Sequence, residues 1–237
     1  MSTLIIDIET VGQDFDALDA TTQDSLTWWI KKEASDDAAY QGALADLKNN
    51  LGFSPLTGAI VVIGVLDGEQ KKGAVYFQAP GQTIPPFEEE NFKFEALTEA
   101  EMLQKFWQGT AKYDAFVTFN GKSFDIPFLM IRSAIHQVRP AKNLMSNRYL
   151  SSQKFGCKHI DLLDELTFYG AVRKKGNLHL WSRAFTVKSP KAQGITGDDV
   201  SRLFAEKKFI DIARYNTGDL LATEALYQYW KKYLNFN

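Results

Sequence analysis

Apolar positions along the chain switch repeatedly between a period of two and a period near 3.6. Residues 3–9 are β-branched and apolar except for Asp7 and Glu9, which the period of two places on one face of a strand. The stretch 12–50 is polar and acidic, with helical spacing around Trp28, Trp29, Ile30, Ala39, Leu44 and Leu47, and it runs out near Gly52, Pro55 and Gly58. It predicts helices inserted between two strands, over about 12–57. AIVVIGVL (59–66) and GAVYFQA (73–79), separated by the turn-rich DGEQKK, predict a hairpin. Thr98-Glu-Ala-Glu101 fits a capping box opening a helix over about 98–111.

AFVTF (115–119) predicts a further strand, running into a helix with Pro127 near its first turn, where a missing N–H costs little. KHIDLL (158–163) reads as a strand end passing into a helix over about 162–168, followed by a loop-like basic stretch with Arg173, Lys174 and Lys175. Helical spacing returns at 178–187. Beyond Pro190, Gly194 and Gly197 the pattern predicts a capped helix from about Asp198 and a last long helix over about 209–233. No internal repeat or low-complexity linker interrupts the chain, so it reads as one α/β domain spanning 1–237.

Composition narrows the class without naming a function. Hydrophobic residues make up 45% and charged residues 24% of 237, which excludes disordered and fibrous chains. No apolar run reaches the roughly 18 residues of a membrane span, and Met1–Thr10 lacks a basic start and a small-residue cleavage site. The single cysteine, Cys157, provides no disulfide framework or zinc cluster, so a reducing cytoplasm is expected. Net charge is −2, which argues weakly against a protein that coats nucleic acid by bulk charge. Neutralising four metal-bound carboxylates would turn −2 into +2, so charge alone is indecisive.

Three acidic clusters remain. Asp7 and Glu9 sit in an apolar strand, where carboxylates are costly without a partner. Asp125 follows a strand and opens a helix, with Asn120 five residues before it; Tyr215 and Asp219, four apart, project from one helix face. Singly these read as a solvated strand edge, an acid favoured by a helix macrodipole, and an exposed helix face. Together and in this order, Asp-x-Glu, Asn-x-x-x-Phe-Asp and Tyr-x-x-x-Asp resemble the motifs of the DEDD superfamily of 3′–5′ exonucleases. The Tyr215 spacing resembles the tyrosine-bearing (DEDDy) branch, which includes the proofreading domains of family B DNA polymerases. Stand-alone bacterial proteins described as predicted exonucleases related to those domains are similar from Leu4 to about Tyr229, including GITGDDV at 194–200.

The resemblance implies a ribonuclease H-like three-layer fold, with a mixed five-stranded sheet and helices on both sides. It implies metal-dependent removal of nucleoside monophosphates from the 3′ end of single-stranded nucleic acid, DNA ahead of RNA. Phosphodiester cleavage needs an activated water and compensation of charge on phosphorus and the leaving oxygen, which two divalent ions supply. Mg²⁺ or Mn²⁺ suits the oxygen-rich motifs. By the resemblance Asp7, Glu9, Asp125 and Asp219 hold the metals, with Asp7 bridging. Tyr215, protonated at neutral pH, orients the attacking water. Asn120 and Phe124 place the terminal nucleotide, and the Thr10 backbone meets the 3′ end.

Three other readings stand beside this one. An exoribonuclease shares the chemistry, and nothing in the sequence reads a 2′-hydroxyl. A ribonuclease H-like endonuclease would not need Tyr215. A catalytically silent binding module would normally have lost one of the four acids. The remaining polar and aromatic residues read mainly as structure: His136, His159 and His179 as surface or helix residues, and Asp161 as a solvated helix start, with a fifth metal-site acid as the alternative. Trp28 and Trp29 read as packing residues, with a base-stacking platform as the alternative; Trp107, Trp181 and Trp230 read as core. Lys122, Arg132 and the 173–175 cluster are candidates for phosphate contact.

Overall fold

A computed structural model describes residues 2–188 and 197–236. The expected strand at the N-terminus is β1 (Thr3–Gly12), and the expected hairpin is β2 (Gly58–Asp67) with β3 (Gly73–Phe77). Two strands not foreseen, β4 (Phe87–Glu89) and β5 (Phe92–Ala96), follow; β6 (Ala115–Thr118) and β7 (Lys158–Asp161) complete the sheet. All seven strands form one mixed sheet in the order β4-β5-β3-β2-β1-β6-β7, so the expected count of five was too low. β1 pairs antiparallel with β2 and parallel with β6, which places β1 in the interior of the sheet.

The missed hairpin is short and reads as turn and charge. β4 spans only Phe87-Glu-Glu89, and Glu90 turns in the left-handed region at φ 53°. β5 nevertheless alternates, burying Phe92 and Phe94, while Phe87 stacks on Phe94 at 4.7 Å between ring centres.

Among the described residues, eight helices lie around this sheet: α1 (Ala20–Glu33), α2 (Asp37–Asn50), α3 (Glu99–Thr110), α4 (Asp125–Ile135), α5 (Leu162–Leu166), α6 (Leu178–Ala184), α7 (Val200–Ala205) and α8 (Phe209–Tyr233). The alternation of β1 divides the core. Leu4, Ile6 and Ile8 pack with Met102, Leu103 and Phe106 of α3 and with Ile126, Phe128 and Leu129 of α4. Ile5, on the other face, joins Val62, Leu66 and Phe77 under Leu203 of α7 and Ile212, Leu220 and Leu226 of α8. Asp7 and Glu9 share the Ile5 face and therefore look toward α8.

The capping box at Thr98 and Glu101 forms as expected. Beside it, Glu99 does more. Its buried carboxylate accepts from Ile60 N–H (2.9 Å), from Arg132 Nε and Nη2 (2.8 and 2.7 Å) and from His136 Nε2 (2.8 Å), tying α3, α4 and β2 together. Burial alone would raise the Glu99 pKa, but these hydrogen bonds and the Arg132 charge hold it below the usual carboxylate range.

Several residues depart from expectation. Trp28 and Trp29 are 60% and 40% exposed rather than packed, since α1 buries only Thr27 and Ile30 fully. His159 is fully buried, between Thr118 Oγ1 (2.8 Å from Nε2) and the Leu144 carbonyl (3.1 Å from Nδ1). His136 closes α4 as its C-cap, and His179 lies in α6. Trp107 and Trp230 are core residues, whereas Trp181 is only half-buried. α7 begins at Val200, and its N-cap residue Asp199 makes no capping bond but pairs with Arg202 at 2.9 Å. Residues 194–196 of the GITGDDV resemblance lie outside the described residues.

Candidate active site

The interior strand β1 and the last helix bring distant residues together. Asp7 and Glu9 leave β1 on the face covered by α8, where Tyr215, Asn216 and Asp219 are buried on its inner side. One carboxylate oxygen from each of Asp7, Glu9 and Asp219 lies within 4.8 Å of the others. Glu9 and Asp219 are each 8% exposed, so this is a largely desolvated acidic cluster.

Such crowding has an electrostatic signature. Burial, and then the charges of Asp219 and Asp125, push the Asp7 carboxyl well above its ordinary range; Glu9 is raised by burial and Asp219, and an Asn216 hydrogen bond partly offsets this. Tyr215 hydrogen-bonds with Asp219, and burial together with the carboxylates of Asp219, Glu9 and Asp7 raises its phenol above the usual range. The hydroxyl therefore stays protonated at neutral pH and serves as a donor.

Asp125 stands beside the cluster, outside the group of three. Its Oδ1 accepts from the Ile8 backbone N–H at 3.1 Å, and its field still reaches Asp7 and Glu9. Burial is the main cause that pushes its pKa up to about 7.

The turn leading to Asp125 explains its own sequence. Asn120 sits in the left-handed region at φ 65°, a conformation asparagine tolerates better than most residues. A Cβ on Gly121 would meet Thr118 Oγ1 at 2.3 Å, so the turn closes over Thr118 only with glycine there. Asp161 fixes the turn by accepting from the backbone N–H groups of Asn120 and Lys122, both at 2.9 Å. It also caps α5 through Leu163 N–H at 3.0 Å, and it is 2% exposed. It is thus neither a solvated helix start nor a member of the three-acid group.

The inserted segment forms the rim. Thr10 Oγ1 donates to the Gly52 carbonyl at 2.7 Å, so the hydroxyl fixes the 51–53 turn. Gly12 and Gly52 let the two backbones cross: a Cβ on Gly12 would come within 2.8 Å of Leu51 Cβ. Phe53, 62% exposed, meets Phe124 edge-on at 6.2 Å. A cavity of about 610 Å³ runs along this rim, lined by Glu9, Thr10, Lys48, Asn49, Phe53 and Phe124 among others. That volume falls within the range of small-ligand sites.

Asn216 was not foreseen as a site residue. A signal was present: it interrupts the stripe Phe209, Ile212, Ala213, Leu220, Thr223 that recurs every three or four residues and faces the sheet.

Strand order and layering together define a ribonuclease H-like fold with acidic residues on its first strand and last helix. Residues 83–235 match the profile of a family described as predicted 3′–5′ exonuclease related to the exonuclease domain of PolB, and the chain belongs to that family. The matched stretch includes Asp125, Tyr215 and Asp219, whereas Asp7 and Glu9 precede it. Among solved structures, the family B DNA polymerase from the hyperthermophilic archaeon Pyrobaculum calidifontis is similar in fold, with a TM-score of 0.56 at 16% identity. The similarity covers 97% of this chain and 24% of that one, so the chain spans about a quarter of the polymerase. No curated protein sequence matches the chain.

Proposed function

We propose that the chain acts as one exonuclease domain that removes nucleoside monophosphates from the 3′ end of single-stranded nucleic acid, DNA in preference to RNA, by metal-dependent hydrolysis. The observation that carries this reading is the convergence of Asp7 and Glu9 with Asp219, more than 200 positions further along the chain, beside a protonated Tyr215. A single hydrophobic face would not collect three carboxylates without a cation to compensate them.

The donor set fits hard divalent cations: it is all oxygen, and its separations let one ion touch three carboxylates. Asp7, Glu9 and Asp219 would hold Mg²⁺ or Mn²⁺, with Asp125 completing the set for a second ion. Two such ions, when bound, supply an activated water and compensation for charge on phosphorus and the leaving oxygen. The protein's own groups do the positioning. Tyr215 O–H orients the attacking water. Phe124 and the half-buried Asn120 place the terminal nucleotide at the rim, and the Thr10 backbone faces its 3′ end. A base-stacking wall reads no sequence, which suits an enzyme acting on any 3′ terminus.

The test is a 5′-labelled single-stranded oligonucleotide incubated with Mg²⁺ or Mn²⁺. The expected product is a ladder shortened one nucleotide at a time from the 3′ end, abolished by EDTA or by Asp7→Ala, and slowed by Tyr215→Phe. Cleavage of a circular strand would replace this reading with an endonuclease. Faster loss of an RNA strand than of matched DNA would reverse the substrate preference.

A further inference from the structure

The Asn216 side chain is fully buried in the middle of α8, and its Nδ2 donates to Asp7 Oδ2 at 2.7 Å. The same amide is in hydrogen-bonding reach of Glu9. Reversing the amide would set its oxygen against two carboxylates, so electrostatics fixes its orientation. The remaining atom, Oδ1, is buried and lacks a hydrogen-bond partner. A buried polar atom left in that state is costly, and its retention marks a role for the rest of the group.

The strand opposite is shaped to admit this side chain. Asp7 pairs across the sheet with Gly64 of β2. A Cβ built on Gly64 would fall 1.8 Å from Asn216 Oδ1 and 2.8 Å from Leu220 Cδ1. Only glycine at 64 leaves the space in which the Asn216 amide lies against Asp7.

From this geometry we infer that Asn216 is a positioning residue, which clamps Asp7 and Glu9 in the arrangement that receives the metal, with Gly64 as the socket that admits it. The inference rests on the metal-dependent reading above. The N–H groups give two like-charged carboxylates a shared donor before any cation arrives, so the ligands are held in place rather than splayed apart. Hydrogen-bond partners that orient metal ligands typically change metal affinity about 10–100-fold when removed. Neither Asn216 nor Gly64 is proposed to touch the substrate.

The experiment is Mn²⁺ titration, followed by electron paramagnetic resonance, of the wild type, Asn216→Leu and Gly64→Ala, with thermal unfolding in EDTA measured alongside. Asn216→Leu keeps the branched four-atom shape of the side chain and removes the donor. It is expected to bind Mn²⁺ at least about tenfold more weakly, to unfold in EDTA at a temperature no lower than the wild type, and to lose kcat on a single-stranded oligonucleotide with KM unchanged. Gly64→Ala, which displaces the amide, is expected to show the same loss of Mn²⁺ affinity and serves if the leucine variant does not fold. Wild-type Mn²⁺ affinity in a folded variant would overturn the clamp while leaving the exonuclease reading in place. Failure of the wild type itself to bind Mn²⁺ would overturn both.

Discussion

At the scale of single residues, the buried charges decide the protein's behaviour. Asp219 shares a desolvated space with Asp7 and Glu9, and in the absence of cations their repulsion opposes folding. Asp219→Asn keeps a hydrogen-bond acceptor for Tyr215 and removes one charge. It is expected to abolish nucleotide removal yet raise the unfolding temperature in EDTA by about 2–4 °C, which corresponds to relief of about 1 kcal/mol in a chain of this size. A lower unfolding temperature in a calorimetric scan would show that the three acids do not repel one another in the folded chain.

His159 makes the opposite kind of statement. Burial, followed by the nearby Lys122 charge, pushes its pKa down to about 3, so the folded chain keeps it neutral while the unfolded chain binds a proton near pH 6.5. Stability must therefore fall as pH drops from about 6.5 toward 3, by about 1.4 kcal/mol for each pH unit from this group. Urea unfolding measured from pH 7 to pH 4 is expected to show a shallower decline in His159→Gln than in the wild type. Parallel curves would mean that His159 is protonated in the folded state.

At the scale of elements, the buried Glu99–Arg132 pair holds the helical layer of α3 and α4 against β2. Removing one partner leaves the other buried and unpaired, so Glu99→Ala is expected to cost about 3–5 kcal/mol in urea unfolding. Glu101→Ala, two residues on, removes only part of an exposed cap and is expected to cost about 1 kcal/mol. Comparable losses would show that the Glu99 network is no more than a cap.

Elements were legible in the sequence where a period ran long enough to identify. α8 carries its stripe through 25 residues, and β1 and β2 through 10 each. β4 offers only three residues, two of them glutamate, and no pattern can be read from so few. Helical spacing around Trp28 and Trp29 indicated a helix correctly, but spacing alone does not say which face finds a partner. α2 buries no residue fully, so the α1–α2 insertion leaves Trp28 largely, and Trp29 partly, in solvent.

The site was legible to a different degree. Strand and helix periods placed Asp7 with Glu9 and Tyr215 with Asp219, each pair on one face, and only the family resemblance joined the two pairs. Asn216 showed only as a polar break in the apolar stripe of α8; its bond to Asp7 could not be read, because the room it needs depends on a glycine in a third segment. Asp125 was expected among the ligands; its bond to Ile8 N–H, a contact across the fold, sets it beside the closest group rather than in it.

At the scale of the whole molecule, charge is distributed unevenly. Residues 12–57 contain eight acidic and three basic residues, a net of −5 against −2 for the chain, which leaves +3 for the remainder. The acidic insertion therefore contributes shape to the cleft, through Phe53 and through Gly52, whose carbonyl holds the Thr10 hydroxyl of β1, more than attraction for a phosphate backbone. Among the described residues no helix is long and apolar enough to cross a membrane. The sheet, α8 and the insertion meet where the carboxylates lie, and the function proposed for the chain depends on what that meeting point binds.

Anomalous scattering from a Mn²⁺-soaked crystal that also contains a nucleoside monophosphate tests this most directly. Manganese peaks are expected between Asp7, Glu9 and Asp219, the second toward Asp125, with the nucleotide's phosphate on the metals and its base along the Phe53–Phe124 wall. A cluster without manganese at millimolar concentration, or a nucleotide seated elsewhere on the fold, would contradict the account.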